Sequence, residues 1–232
     1  MSVVYYAIGD VHGEFEKLKH LHKLIIKTHH LDFPNKDLRI VHLGDYIDRG
    51  PKSFDVVDYL MNLNDQPFSE IITLKGNHEQ MMLNAFEAEN MRDYHFWVDS
   101  GGQQTLLSYR TNGFDEPPIQ HLDWLRRLPT YHWDQKEKLI FVHAGIDPIF
   151  FPNDGEDRHL WTRSPRFLNP GNWDNNLPTG TIVIHGHTPT QSGQPDISGN
   201  VQRINVDTGA CYGGDLTAAV LASGAPPRFL TA

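Results

Sequence analysis

The chain has 232 residues, a formal net charge of -9 and 39% hydrophobic residues, which suits one α/β domain or a domain with a modest insertion. The acidic balance argues against a general nucleic-acid or membrane-surface binder, which would present a basic face. No run approaches the roughly 20 apolar residues of a spanning helix. The one cysteine, Cys211, leaves no internal disulfide and no thiolate zinc site, so a reducing, cytoplasmic setting is expected.

In chain order, Ser2–Ile8 is short, uncharged and runs into Gly9-Asp10; it reads as a first buried strand, not a signal peptide. Phe15, Leu18, Leu21, Leu24 and Ile25 then recur at helical spacing. Leu38–Leu43 predicts a second strand, Gly44–Lys52 a loop, and Val56, Val57, Leu60 and Leu63 a second helix. Ile71–Leu74 predicts a third strand, and Gly76-Asn77-His78-Glu79 leads into another helix. Such alternating units predict a mostly parallel sheet with its loops gathered at the strands' carboxyl ends. Residues 88–136 break the rhythm with aromatic-rich helical pieces, including Tyr94, Phe96, Trp97, Leu122 and Leu125, and predict a helical cap inserted into a single domain spanning 1–232. Strand-like runs follow at Leu139–Val142, Thr181–Ile184, Arg203–Val206 and Thr217–Leu221, and their close spacing suggests antiparallel pairing. Asn153–Asp157, Asn169–Asn176 and Gln191–Asn200 read as polar loops.

Five short motifs fall at the predicted strand ends: Gly9–Gly13, Gly44–Gly50, Gly76–Glu79, His143–Gly145 and His185–His187. Each sets oxygen or imidazole donors beside glycine, which lets the backbone approach closely. Two divalent ions need several donors each from rigid loops converging on one point. Mixed carboxylate, amide and imidazole donors suit manganese, iron or zinc better than calcium or magnesium. The chain has 14 histidines, so position decides which of them matter. Any one motif alone reads as an ordinary strand-to-helix turn with a capping Asp or Asn; five in order do not.

With these residues in view, the chain resembles the phosphoprotein phosphatase branch of the calcineurin-like metallophosphoesterases, in its small bacterial or phage-type form. The resemblance covers about Tyr5 to Leu221 and is most specific at Asp48-Arg49-Gly50 and Glu79. It implies an α/β sandwich of mixed sheets flanked by helices and two divalent ions, manganese first, with iron or zinc as alternatives. It further implies Asp10 and His12 on one metal, Asp45 bridging both, and Asn77, His143 and His187 on the second. His78 then resembles the general acid, oriented by Asp48. Arg49 resembles a phosphate-binding residue, with Asn77 beside it, and Arg163 a second one in a Trp-x-Arg element. A hydroxide shared by the ions would attack phosphorus directly, with no covalent enzyme intermediate. His185 reads either as a neighbour of the ligands or as a packed strand histidine. Ser100–Tyr109 looks like the cap of the small bacterial members and is assigned no catalytic role. Lys75 stands where many relatives carry arginine.

The implied activity is hydrolysis of phosphoserine or phosphothreonine monoesters, with phosphotyrosine open, on a phosphorylated protein or small phosphoester. No nucleic-acid or membrane partner is expected, and a free-standing monomer is. One alternative is a dinucleoside polyphosphate hydrolase, for which Tyr94, Trp97 and Trp124 are the cap's candidate stacking groups. Another class is a non-catalytic scaffold, against which stands the retention of the full donor set.

Overall fold

The computed structural model describes residues 3–63, 68–87, 91–173 and 177–232. Its core is two five-stranded sheets packed face to face. In the first, β1 (Val3–Ile8) lies parallel to β2 (Asp37–His42), and β2 parallel to β3 (Glu70–Thr73). β9 (Thr217–Ala222) pairs antiparallel with β1, and β10 (Arg228–Thr231) antiparallel with β9. In the second, the order is β4 (Tyr131–Asp134), β5 (Leu139–Val142), β6 (Ile182–His185), β8 (Arg203–Asn205), β7 (Asp196–Ser198).

Strand periodicity explains the layering. Along β1, Val3, Tyr5 and Ala7 point between the sheets, where they meet Phe141 and Ile204. Val4, Tyr6 and Ile8 point the other way, against Leu18, Leu21 and Ile25, because successive side chains leave a strand on opposite faces. Those leucines lie on α1 (Phe15–Asp32), which shares the outer face with α2 (Ser53–Met61) and α3 (Asn77–Glu87). α4 (Met91–Trp97), a kinked turn at Val98–Gly102, α5 (Gln103–Thr111) and α6 (Ile119–Arg127) follow, with α5 and α6 packed on α2 and α3. α7 (Glu156–Trp161) and α8 (Pro165–Leu168) lie between β5 and β6. No helix among the described residues is long and apolar enough to cross a membrane.

The first three strands and their parallel pairing follow the sequence reading. The second sheet corrects it: β5 pairs parallel with β6, and β6 parallel with β8. Between β5 and β6 the chain forms the short helices α7 and α8, so spacing without a long helical pattern does not require antiparallel neighbours. Of the predicted cap segment, residues 88–90 lie outside the described residues, and Tyr131–Asp134 is a strand of the second sheet, not cap. Strand β7 lies inside the predicted loop Gln191–Asn200, and β10 follows what read as the final strand. Both are edge strands, with partly exposed residues that show no apolar alternation. Residues 174–176 of the predicted loop Asn169–Asn176 also lie outside the described residues.

Candidate metal centre

Carboxyl ends of five strands face one place, where an open α/β sheet binds its ligands. Asp10 and His12 follow β1, Asp45 through Arg49 follow β2, Asn77 and His78 open α3 after β3, His143 follows β5 and His187 follows β6. The backbone there is strained. Of the eight non-glycine residues with positive φ among the described residues, five are His12, Asp45, Asp48, Arg49 and His187. Each such conformation costs on the order of 1–3 kcal/mol and persists only where surrounding structure enforces it, commonly at functional sites. Two glycines let the carboxylates of the site approach the backbone closely. A Cβ on Gly76 would stand 2.2 Å from Asp45 Oδ1, and one on Gly186 2.1 Å from Asp10 Oδ1.

Two groups of donors share Asp45: His12, Asp45 and His78, and Asp45, His143 and His187. Hydrogen bonds fix which ring nitrogens face inward. His12 Nδ1 donates to Ile47 O at 2.7 Å and His143 Nδ1 to Leu43 O at 3.1 Å, so both Nε2 atoms present lone pairs. His143 Nε2 lies 2.8 Å from Asn77 Oδ1, 3.2 Å from His187 Nδ1 and 3.4 Å from Asp45 Oδ1. A proton on His187 Nδ1 would serve one of these acceptors, and His187 Nε2 is buried without a partner. Acceptors converging in this way are what a cation satisfies. On the other side the guanidinium of Arg49 supplies the positive charge, with Nη1 donating to His12 Nε2 at 2.6 Å and Nη2 to His78 Nε2 at 2.8 Å.

Buried charge points the same way. Asp10, Asp45 and Asp207 are 3%, 1% and 3% exposed. Burial, with the charges of Asp207 and Asp45, pushes Asp10 well above the usual carboxylate range, and burial raises Asp207 to about 6. Asp45 differs: burial opposes its charge, but the surrounding histidines outweigh it and hold the carboxyl below the usual range, whereas Asp10 and Asp207 call for a nearby cation to stay ionised. Asp10 stands outside both donor groups; its oxygens accept the His187 N–H at 3.1 and 3.0 Å.

Four histidines separate into two kinds. Burial lowers His12 to about 3 and His187 to about 2, and lowers His143, which keeps their lone pairs free for a metal. His78 is shifted upward: burial opposes its charge, but the Asp45 and Asp48 carboxylates outweigh burial. Its Nδ1 donates to Asp48 Oδ2 at 2.7 Å. Such divergence within one site sets His78 apart from the other three histidines.

Arg163, exposed after α7, donates from Nε to Thr188 Oγ1 at 3.1 Å. Its charge opposes protonation of His143 and His187, while Arg49 stands beside His12 and His78. His185 resolves as a packed strand histidine: Nδ1 donates to Gly186 O at 3.0 Å and Nε2 accepts from Arg203 at 2.7 Å. Trp97 is fully buried and so offers no stacking face. Lys75 is buried and its ammonium reaches Gln80 at 3.4 Å. Burial pushes the Cys211 thiol up to about 11, which removes it as a thiolate nucleophile.

Sequence reading missed two contributors. Glu79, read only as a family marker, accepts the backbone N–H groups of Asp45, Tyr46 and Gly76, each at 2.8 Å, and so pins the Asp45 loop to α3. Asp207 was not singled out, although Asp207-Thr208-Gly209 follows β8 much as Asp10 and Gly13 follow β1.

The protein-family model for Calcineurin-like phosphoesterase matches residues 4–216. An asymmetrical bis(5'-nucleosyl)-tetraphosphatase from Anoxybacillus flavithermus is 25% identical over 240 aligned positions, covering 93% of this chain and 89% of the relative. A symmetrical bis(5'-nucleosyl)-tetraphosphatase from Escherichia coli is 33% identical over 144 residues, which is 62% of this chain and only 44% of that relative. Among solved structures, a candidate diadenosine tetraphosphatase superposes with a TM-score of 0.66 at 20% identity, covering 100% of this chain and 94% of the other. That last likeness is one of fold.

Proposed function

The chain belongs to the calcineurin-like phosphoesterases, and from that premise we propose that it is a two-metal hydrolase of dinucleoside polyphosphates. The chemistry rests on one observation, the two donor groups that share Asp45. In this reading Asp10, His12 and Asp45 hold one divalent ion, and Asp45, Asn77, His143 and His187 the other, with manganese, iron or zinc suiting the donors. Such ions supply Lewis acidity toward phosphoryl oxygens and bring the pKa of water toward neutrality. Arg49 and Arg163 approach from opposite sides to bind phosphate oxygens, as a planar fork does bidentately. Once the Arg49 guanidinium turns from His78 Nε2 to the phosphate, that nitrogen carries a proton for the leaving oxygen, and Asp48 orients the ring through Nδ1.

The substrate class draws support from the names of the two relatives and from Tyr212. This ring is 64% exposed, and the Arg49 guanidinium lies 5.7 Å from its centroid. Its loop is firmly held, because Lys17 Nζ donates to the carbonyls of Ala210 and Gly214, both at 2.8 Å. A fixed, exposed aromatic beside a phosphate-binding arginine suits a nucleobase. Stacking contributes on the order of 1–3 kcal/mol per base. Tyr212→Ala should therefore raise KM for diadenosine tetraphosphate about tenfold, Tyr212→Phe should restore it, and a phosphoserine peptide should be indifferent. Better turnover of the peptide than of the dinucleotide, with no effect of Tyr212→Ala on either, overturns the dinucleotide reading.

A second reading, hydrolysis of phosphoserine or phosphothreonine esters, is favoured by the Asp48–His78 pair. An alkoxide leaving group needs a proton far more than a departing phosphate chain does. Under either reading Arg163→Ala should leave the metals in place and weaken inhibition by inorganic phosphate about tenfold, the low end for a charged hydrogen bond. Unchanged inhibition would make Arg163 a loop residue only.

A further inference from the structure

The Asp48 carboxylate is buried, and its remaining hydrogen bonds come from outside the sandwich. Trp97 Nε1, at the end of α4, lies 3.1 Å from Oδ1 and 3.0 Å from Oδ2. Thr105, in the first turns of α5, donates from Oγ1 to Asp48 Oδ1 at 2.7 Å and accepts the Asp48 backbone N–H at 2.8 Å. Ser53 stands 2.9 Å from Thr105 Oγ1 and also accepts the Asp48 N–H at 3.1 Å. Between the two donors the chain turns at Gly101, whose φ is 118° and whose carbonyl accepts the Arg49 N–H at 3.1 Å. A Cβ on Gly102 would stand 2.6 Å from Trp97 Cε2, so this glycine gives the indole its place.

These contacts converge on one residue. Thr105 and Trp97 hold Oδ1, and Trp97 shares Oδ2 with His78. Both donors are neutral, so they satisfy a buried carboxylate without supplying a cation that would compete with the imidazole for it. A carboxylate held by three donors has one orientation, and that orientation aims Oδ2 at His78 Nδ1.

We propose that Trp97 and Thr105 are positioning residues of the reaction, acting through Asp48 on the His78 imidazole. The helical segment over the site is thereby a working part of it, not only a cover. The proposal rests on His78 as proton donor, and its test keeps the two apart. Thr105→Val keeps the shape and removes the hydroxyl; Thr105→Ser keeps the hydroxyl; Trp97→Phe removes only the indole N–H.

The first readout is proton NMR of the metal-free protein, following the downfield His78 Nδ1–H resonance, assigned by its loss in His78→Asn. It should move or broaden in Thr105→Val and Trp97→Phe and return in Thr105→Ser. The second is turnover of phenyl phosphate against p-nitrophenyl phosphate, whose leaving group needs less protonation. Thr105→Val should lose about tenfold more on phenyl phosphate, as changes behind a positioned group do, with metal content unchanged and Thr105→Ser near wild type. An unmoved resonance in both the Val and the Phe variants, with equal losses on both substrates, makes the two residues struts and overturns the proposal. If His78→Asn itself loses equally on both substrates, the proton-donor reading fails, while the resonance still decides whether Asp48 is positioned from the helices. Should Thr105→Val not fold, Trp97→Phe and Thr105→Ser carry the same comparison.

Discussion

Asp45→Asn should abolish turnover more completely than any other single change at the centre, and the metal-free chain should still fold. Asp45 Oδ2 lies 3.5 Å from His12 Nε2, and Oδ1 lies 3.4 Å from His143 Nε2 while accepting the His78 N–H at 3.0 Å. It is the one side chain common to both donor groups. Exchanging one oxygen for an amide nitrogen takes a donor from one of the two groups and, from both, the charge that offsets the ions. Outer partners of metal ligands alone cost about 10–100-fold, so a shared ligand should cost well over a hundredfold in turnover, with metal content falling alongside. In the metal-free chain the backbone should accept the change, because the residue sits at φ 53°, a conformation asparagine tolerates well. Burial opposes the Asp45 charge, but the surrounding histidines outweigh it and hold the carboxyl below the usual range. Thermal unfolding of the metal-free variant at neutral pH should therefore lie somewhat below wild type, still cooperative. Elemental analysis with activity settles it: two ions per chain and near-normal rates would remove Asp45 as the shared ligand.

The sequence made the loops legible because metal donors beside glycine at strand ends are a local pattern. Asp10, His12, Asp45, Asn77, His143 and His187 all face the same place in the fold, as do His78, Asp48 and Arg49. What lay beyond reach is non-local. Glu79 meets the Asp45 amide 34 residues away, and Thr105 meets Asp48 across 57; no periodicity links such pairs. Ser100–Tyr109, assigned no catalytic role from sequence, is a glycine turn entering a helix. Its importance comes from where α5 docks, which only the packing reveals. The fold followed the same rule. Strands buried on both faces, such as β1 and β5, announce themselves as apolar runs, whereas the edge strands β7 and β10 carry exposed residues and no such signal. Pairing direction in the second sheet depends on the crossover through α7 and α8, and such short helices leave a weak trace in sequence.

His78→Asn should separate the proton donor from the ligands, and the substrate class with it. The ring stands among both roles: its Nε2 is 4.0 Å from Asp45 Oδ2, and it groups with His12 and Asp45 as a possible metal donor. Three features favour the proton. Nδ1 is committed to Asp48 at 2.7 Å, the two nearby carboxylates shift the ring upward where the other three histidines shift down, and Arg49 at Nε2 is a group that can turn to substrate. The substitution keeps the backbone N–H that bonds to Asp45, so the first turn of α3 should survive. Both metals should remain, and turnover of an alkyl phosphate such as phosphoserine should fall by about 10²–10⁴-fold, the usual contribution of a positioned acid. The loss should shrink for p-nitrophenyl phosphate, whose anion departs with little help. It should also be small for diadenosine tetraphosphate, because a phosphate chain leaves as a stable anion. Measured together, the three losses and the metal content admit few readings. Loss of an ion would make His78 a ligand, and equal losses on all three substrates would end its role as acid. A loss confined to the alkyl ester, on an enzyme that prefers the dinucleotide, would mean that the Asp48–His78 pair serves a substrate other than the one the relatives' names suggest.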